Sequence, residues 1–372
     1  QGVFGVDTIE EGVLYGDIEE GTARILYQPV TTHPGDHINS VAVGTAMEWM
    51  QMTLDGGNGL DPANQVWMWN EIGRLIAVVG AVIAMLAFGT IMLETSIFQS
   101  LIQPLPEAKP ISGTMRYVAY ALTIFVPIIT YYWFQNVVAT AIIPQATALF
   151  PQTITTGIMV WAVGNALITL VLFLIWHFTS NRGEATPANY GLGLSVTNIL
   201  KAAGLAISIV GFGYVLLAIS DLWFKTDFRF WVVAVKLMSS LQFRIFLGYL
   251  PFFIFFFLIA GVALHGQMRL VRANGEPVSM GRAMLANVGL LVLGFIVLLL
   301  VQYVPLLSGS PLPLGEPLLT IVAFQFVPLL TIAAIWMTWF FRKTGTIYVG
   351  AFTAASFIIW VIVAGQATQF AF

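Results

Sequence analysis

Residues 72–94, IGRLIAVVGAVIAMLAFGTIMLE, decide the class of this protein. The charged side chains in this stretch are Arg74 near its start and Glu94 at its end. About 20 apolar residues in a helix cross the roughly 30 Å hydrocarbon core of a bilayer, because each residue rises about 1.5 Å. The segment therefore predicts a membrane-spanning helix.

The rest of the chain repeats this pattern. Of its 372 residues, 58% are hydrophobic and 9% are charged, whereas soluble domains carry about 25% charged residues. The predicted fold class is mainly α, a polytopic helical membrane bundle of about eight spans. We predict these spans near residues 72–94, 114–138, 157–178, 201–220, 243–266, 283–305, 317–341 and 346–370.

One apolar segment, FRFWVVAVKLMSS at 228–240, is too short to cross the membrane. It carries Arg229 and Lys236 among aromatic and β-branched residues. Charged residues beside bulky apolar ones are typical of helices that lie in the membrane interface. We therefore predict an interfacial helix at 228–240.

The distribution of basic residues predicts the orientation, because cytoplasmic loops carry an excess of Lys and Arg. An exterior N-terminus places the following residues in interior loops: Lys109, Arg116, Arg182, Lys201, Arg269, Arg272, Arg282, Arg342 and Lys343. It leaves Lys225, Arg229, Lys236 and Arg244 on the exterior side. We predict that both termini lie on the exterior side, which in a bacterium is the outer face of the plasma membrane.

Composition also excludes some functions. The formal net charge of −3 gives no reason to expect a nucleic-acid partner, and the absence of cysteine excludes a thiol nucleophile or a disulfide framework. The span interiors carry amides, which more often join helices by hydrogen bonds than form a proton path. A transporter or channel-like subunit and an inactive membrane scaffold nevertheless stay open as alternatives. The amides are Asn165, Asn287, Gln302, Gln325 and Gln366.

The polar N-terminal region contains a strand pattern, a histidine-bearing loop and a helix pattern. ARILYQPV at 23–30 alternates and is rich in β-forming residues, which predicts a strand. SVAVGTAMEWMQMTL at 40–54 has apolar residues at helical spacing after Asn39 or Ser40 as N-cap. Between them lies TTHPGDHIN at 31–39.

This strand, histidine loop and helix resemble the C-terminal unit of the α/β-hydrolase superfamily, particularly bacterial members with a multispanning membrane domain after the hydrolase. The resemblance covers about residues 1–56 and implies the last part of an exterior α/β-hydrolase-like domain there. A linker at 57–71 and a transmembrane domain at 72–372 would follow. The implied activity is that of a serine hydrolase of the esterase, lipase or amidase type.

In such an enzyme a histidine takes the proton of the nucleophile and returns it to the leaving group, since its pKa lies near 6.5. His33 fits this role best, because Ser40 opens the helix seven positions later and Trp49 lies sixteen positions later. His37 is the alternative, with Asp36 beside it. Two other interpretations stay open, a plain surface loop and a metal site formed by the two histidines and Asp36.

The resemblance also implies a serine on a G-x-S-x-G turn and an acid that both precede the histidine. The sequence contains no G-x-S-x-G. Asp7, which follows GVFGV, is a candidate for the acid but has no better claim than the acidic residues at 17–20. We expect Gln1 not to be the natural start, and the serine to lie upstream.

The implied partner is therefore the upstream half of the hydrolase, as a separate chain, a cleaved chain or a part preceding Gln1. An unpaired sheet edge would need it. The other expected partners are membrane lipids and a lipid-like substrate. We expect no cofactor and no metal.

Overall fold

The computed structural model describes residues 2–57 and 59–369. They are mainly helical, and the chain divides into two compact units. One unit consists of Gln1–Gly73 and Gln302–Gly315, and the other of Arg74–Val301 and Glu316–Phe372. The predicted domain 1–56, linker 57–71 and span 346–370 extend onto residues 1, 58 and 370, which lie outside the described residues.

The helices and strands follow one another along the chain with short connections. They are α1 (Ser40–Thr53), α2 (Trp67–Leu93), α3 (Gly113–Ile129), α4 (Tyr131–Ile142), α5 (Thr153–Trp176), α6 (Val196–Phe224), β1 (Phe228–Phe230), β2 (Val233–Val235), α7 (Ser240–Val262), α8 (Met280–Leu307), α9 (Pro317–Thr344) and α10 (Tyr348–Gly365). Short 3₁₀ helices lie at His33–Ile38, Gln99–Leu101 and Pro187–Tyr190. Single π turns extend α5 over His177–Asn181 and α7 over Ala263–Gln267, and a third, Phe134–Val138, lies within α4.

Seven described helices are long and apolar enough to cross a membrane, or eight if the bent pair α3–α4 is one span. This confirms the predicted helical membrane bundle in outline, and the chain is an integral membrane protein. Each predicted span overlaps one of these helices or the bent pair. The run of apolar residues is sufficient to locate them because backbone groups inside a bilayer must be bonded within the helix.

The bend of 44° between α3 and α4 lies at Thr130, three residues after Pro127. Proline has no backbone N–H and interrupts the helical hydrogen-bond ladder. The carbonyl of Pro127 accepts a hydrogen bond from the indole N–H of Trp161 on α5 at 2.8 Å. A neighbouring helix therefore satisfies a carbonyl at the bend.

The interfacial helix predicted at 228–240 is wrong. The segment forms an antiparallel hairpin of β1 and β2, and its turn contains Trp231 at φ +52°. Val233 and Val235 are buried, so the β-branched residues stabilise strands instead of a membrane-surface helix. The indole N–H of Trp360 on α10 donates to the carbonyl that follows β2 at 2.9 Å and holds the hairpin against the bundle.

We call the unit formed by Arg74–Val301 and Glu316–Phe372 the membrane unit. Its centre is α10, whose residues from Tyr348 to Ala364 are all buried. It packs against α6, α7 and α9. Gly350 allows α9 to come close, since a Cβ there would lie 2.7 Å from the Cα of Met337. Trp336 of α9 packs against Phe357 with ring centroids 5.0 Å apart.

The N-terminal segment has little regular structure before α1. The strand predicted at 23–30 is wrong as a continuous strand, because Arg24 makes only an isolated bridge to Tyr15. A strand needs a neighbour to complete its hydrogen bonds, and the described residues give this segment isolated bonds instead of a ladder: Gly12 donates to the carbonyl of Leu26, Ala23 donates to the carbonyl of Asp17, and Gln28 donates to the side chain of Glu11. The helix predicted at 40–54 is confirmed as α1.

Candidate functional site

The histidine loop is a single 3₁₀ turn from His33 to Ile38 that leads directly into α1. Pro34 favours the first turn of a helix because its φ is already fixed near the helical value. Gly35 is buried, and a Cβ there would lie 2.6 Å from the hydroxyl of Thr31. The sequence Pro-Gly after His33 therefore allows a tight turn at this point.

The end of the turn is fixed by Asn39. Its side-chain oxygen accepts hydrogen bonds from the backbone N–H groups of Val41 at 2.9 Å and Ala42 at 3.0 Å. This is the N-cap that the sequence predicts, and it satisfies donors that a helix start leaves free. The loop and helix therefore form one local unit that positions both histidines.

The structure brings together two of the predicted site residues, His33 and Asp36. Nδ1 of His33 lies 3.2 Å from Oδ2 of Asp36, and the two side chains are 72% and 50% exposed. A carboxylate is an acceptor, so Nδ1 carries the proton in this contact and Nε2 is left as the basic nitrogen. This is the tautomer that a general base for a hydroxyl nucleophile requires.

The other predicted residues are placed differently. His37 lies exposed near the end of the same turn, and Asp7 lies exposed in the N-terminal turns. The carboxylate on His33 is supplied by Asp36, three positions away, and not by Asp7. Among the described residues, no group of three or more His, Cys, Asp or Glu side chains is placed so that it could hold a metal ion.

A second polar cluster, which sequence reasoning missed, lies in the membrane unit around Tyr190. The hydroxyl of Tyr190 accepts a hydrogen bond from Asn181 at 2.8 Å and bonds with Nδ1 of His177 at 2.8 Å. Burial raises the pKa of Tyr190, and the bond from Asn181 opposes this shift. His177 and Asn181 come from one π turn, and Gly266 of another leaves room for the tyrosine ring.

Arg269 is fixed beside this cluster. Its guanidinium donates to the carbonyl of Pro106 at 2.7 Å and lies 5.2 Å from the ring centre of Phe341. Burial, followed by the nearby charge of Arg342, lowers the pKa of Arg269 to about 10, so it stays charged at neutral pH. From the sequence, Arg269 was expected only as a basic residue in a loop. No local pattern links it to Phe341, 72 positions later, or to Pro106, 163 positions earlier.

Three of the five amides inside the predicted spans bond to neighbouring segments. Asn165 donates to Thr130 at 3.0 Å, and Asn287 donates to Thr338 at 2.9 Å. Gln302 donates to the carbonyl of Gly315 at 2.8 Å. These bonds favour the helix-joining interpretation of the amides over a polar path for ions.

Comparisons with known protein families, with curated proteins and with solved structures found no match to this chain.

Proposed function

We propose that this chain is the membrane-anchored, C-terminal part of a serine hydrolase of the α/β-hydrolase type. In this proposal His33 is the general base and Asp36 orients it, which departs from the α/β-hydrolase pattern, because that pattern places the acid before the histidine. The observation that carries the proposal is the 3.2 Å contact between Nδ1 of His33 and Asp36 on an exposed turn. A carboxylate on Nδ1 stabilises the imidazolium that forms when Nε2 takes a proton.

The proposed reaction is hydrolysis of an ester or amide through an acyl-enzyme. Nε2 of His33 takes the proton of a serine hydroxyl as its oxygen attacks the acyl carbon, and then gives that proton to the leaving group. Water repeats the attack on the acyl-enzyme, with His33 again as the base. The serine and the oxyanion hole would be supplied by a companion part of the protein.

The N-terminal segment supports a companion, because it exposes apolar side chains that a complete domain would cover. Val30 is 78% exposed at the end of the incomplete strand, and Val41 and Leu54 are exposed at the two ends of α1. Exposed apolar side chains of this kind are available to a partner polypeptide. A companion polypeptide that supplies the missing strands would cover these residues and pair with residues 25–30.

The proposed location of the N-terminal segment is the outer face of a bacterial plasma membrane. The distribution of basic residues among the loops favours this orientation. A lipid-like ester or amide is the proposed substrate class. It would reach an exterior site directly from the bilayer.

The test compares two matched variants, His33→Ala and His37→Ala, in the protein together with its companion part. We expect His33→Ala to lower kcat for acyl-ester hydrolysis by about 10³-fold or more, because removing a triad histidine removes the general base. We expect His37→Ala to leave turnover near that of the unsubstituted protein, since His37 lies on the same exposed turn without the contact to Asp36. Full turnover in His33→Ala would overturn the assignment.

A further inference from the structure

A crevice of about 600 Å³ opens into the membrane unit between α3, α5 and α7. Its volume falls within the range of about 300–1,000 Å³ that is typical of ligand sites. It begins at the loop before α3 and ends deep in the bundle near Pro127, Asn165 and Phe256. Its walls include Ala119, Leu122, Val126, Ile168, Leu172 and Ala260.

The crevice is elongated, and exposed apolar side chains such as Met115, Leu122 and Ile175 line it. Between Ser112 and Pro127 it follows about 22 Å of helix, so the crevice is an elongated channel of about 600 Å³. The described residues of α3 are at most partly buried, although α3 packs closely on α8 where Ile124 meets Gly294. One extended hydrocarbon chain fits such a channel and can enter it sideways.

The interior of the crevice suits a hydrocarbon chain. The hydroxyl of Thr123 donates to the carbonyl of Ala119 at 2.8 Å, so the protein itself satisfies this donor. The amide of Asn165 donates to Thr130 and to the carbonyl of Trp161. Since these polar groups are already bonded, an apolar ligand leaves none of them unpaired.

The mouth of the crevice is polar and carries both signs of charge. Of the described residues that line it, Lys109 and Glu184 are charged, one of each sign. Lys109 pairs with Glu107 at 2.7 Å, and this carboxylate, followed by Glu184, raises the pKa of Lys109. Trp176 also lines the crevice, and an indole face attracts a quaternary ammonium group.

We propose that this crevice binds one acyl chain of a zwitterionic phospholipid from the surrounding bilayer. The phosphate lies at Lys109 and Ser112, and the ammonium group lies at Glu184 and Trp176. The second acyl chain stays in the bilayer. This binding site is independent of the proposed hydrolase activity, because every residue that forms it belongs to the membrane unit.

The first test uses photoactivatable phospholipids in vesicles that contain the whole protein. Phosphatidylcholine and phosphatidylglycerol, each with the same diazirine-bearing acyl chain, are compared by mapping the labelled residues. With phosphatidylcholine, labelling at Leu122 and Val126 should exceed labelling at the exposed Ile207 of α6 by about tenfold. A tenfold ratio corresponds to a binding free energy about 1.4 kcal/mol more favourable in the crevice than in bulk lipid. Equal labelling of the crevice and of α6 would overturn the proposal.

The headgroup and the crevice are tested separately by substitution. Leu172→Trp fills the crevice, whereas Leu174→Trp changes a residue outside the crevice lining that is equally exposed, at 38%. Leu172→Trp should reduce labelling at Leu122 to the level of Ile207, and Leu174→Trp should leave it unchanged. Glu184→Gln should remove the preference for phosphatidylcholine over phosphatidylglycerol.

Two further results would contradict the proposal, and the first of them needs no variant. Equal labelling by the two lipids in the unsubstituted protein would refute the zwitterionic headgroup. Undiminished labelling of the crevice in a folded Leu172→Trp protein would refute the acyl-chain site.

Discussion

Replacing Gln152 with leucine should destabilise the membrane unit, because this fully buried side chain joins the start of α5 to the end of the chain. Its amide N–H groups donate to the carbonyl of Val363 at 3.0 Å and to the hydroxyl of Thr368 at 3.1 Å. Its side-chain oxygen accepts a hydrogen bond from Thr155 at 2.7 Å. The substitution keeps a similar volume but removes these three bonds, together with a longer one to the carbonyl of Gln366 at 3.4 Å.

The expected loss follows from these three bonds. Hydrogen bonds between membrane helices contribute about 0.6 kcal/mol each on average, and those in protein interiors about 1 kcal/mol. Gln152→Leu should therefore lower the free energy of unfolding by about 2–3 kcal/mol. In a double-mutant cycle with Thr155→Val, the bond between these two side chains should appear as a coupling of about 0.6–1 kcal/mol.

The assay is reversible unfolding of the purified protein in mixed micelles, followed by tryptophan fluorescence. Gln145→Leu is the matched control, because Gln145 precedes α5 in the same loop but is exposed. A surface substitution of this kind should change stability by less than about 0.5 kcal/mol. Equal effects of the two substitutions would refute the reasoning.

Three further predictions concern single residues. Gly345 ends α9 at φ +66°, and an added methyl group would overlap a backbone carbonyl. In the same assay, Gly345→Ala should therefore lower the free energy of unfolding by about 1–3 kcal/mol. Gly315→Ala, at φ +63° in open space, should lower it less. Glu107→Gln should lower the pKa of Lys109 towards its ordinary value of 10.5, measured by NMR titration of the lysine ammonium. Because the pKa of Lys109 is raised, its pairing with Glu107 contributes fully to folding stability below pH 10.5, and this contribution is lost as the pH rises through the raised pKa. A pKa of Lys109 that is unchanged in Glu107→Gln would contradict the pairing. Asn287→Leu should lower the stability of the bundle by about 0.6–1.5 kcal/mol, and a gain in stability would contradict its helix-joining role.

Local patterns in the sequence predicted the membrane helices and α1. An apolar run such as 72–94 must form a helix in a bilayer, since its backbone groups have no other partners there. Asn39 before a helical pattern predicted the N-cap that the structure contains. These features depend on residues within one or two turns of each other.

Features that depend on distant partners could not be predicted in this way. The segment 228–240 was expected to lie on the membrane, whereas contacts with α10, more than 120 residues later, hold it as a hairpin. The segment 23–30 has a strand pattern but lacks the neighbouring strands that would make it one. The bond of Tyr190 to His177 also depends on the loop geometry that follows a π turn, for which the sequence carries no local signal.

The candidate site was predicted in part. The sequence indicated His33 from its distance to α1. The structure adds the contact with Asp36, a residue predicted only as a neighbour of His37 or as one ligand of a metal site. An i,i+3 contact of this kind depends on the 3₁₀ form of the turn, which Pro34 and Gly35 permit. The crevice was not predicted, because its walls come from three helices that are far apart in the sequence.

The proposal that His33 serves a serine hydrolase is tested most directly by labelling the protein, together with its companion part, with a fluorophosphonate that reacts with activated serines. If His33 is the general base, we expect one labelled serine, located in the companion part. Its labelling should be lost in His33→Ala and retained in His37→Ala. Labelling that is unaffected by His33→Ala, or the absence of any activated serine, would contradict it.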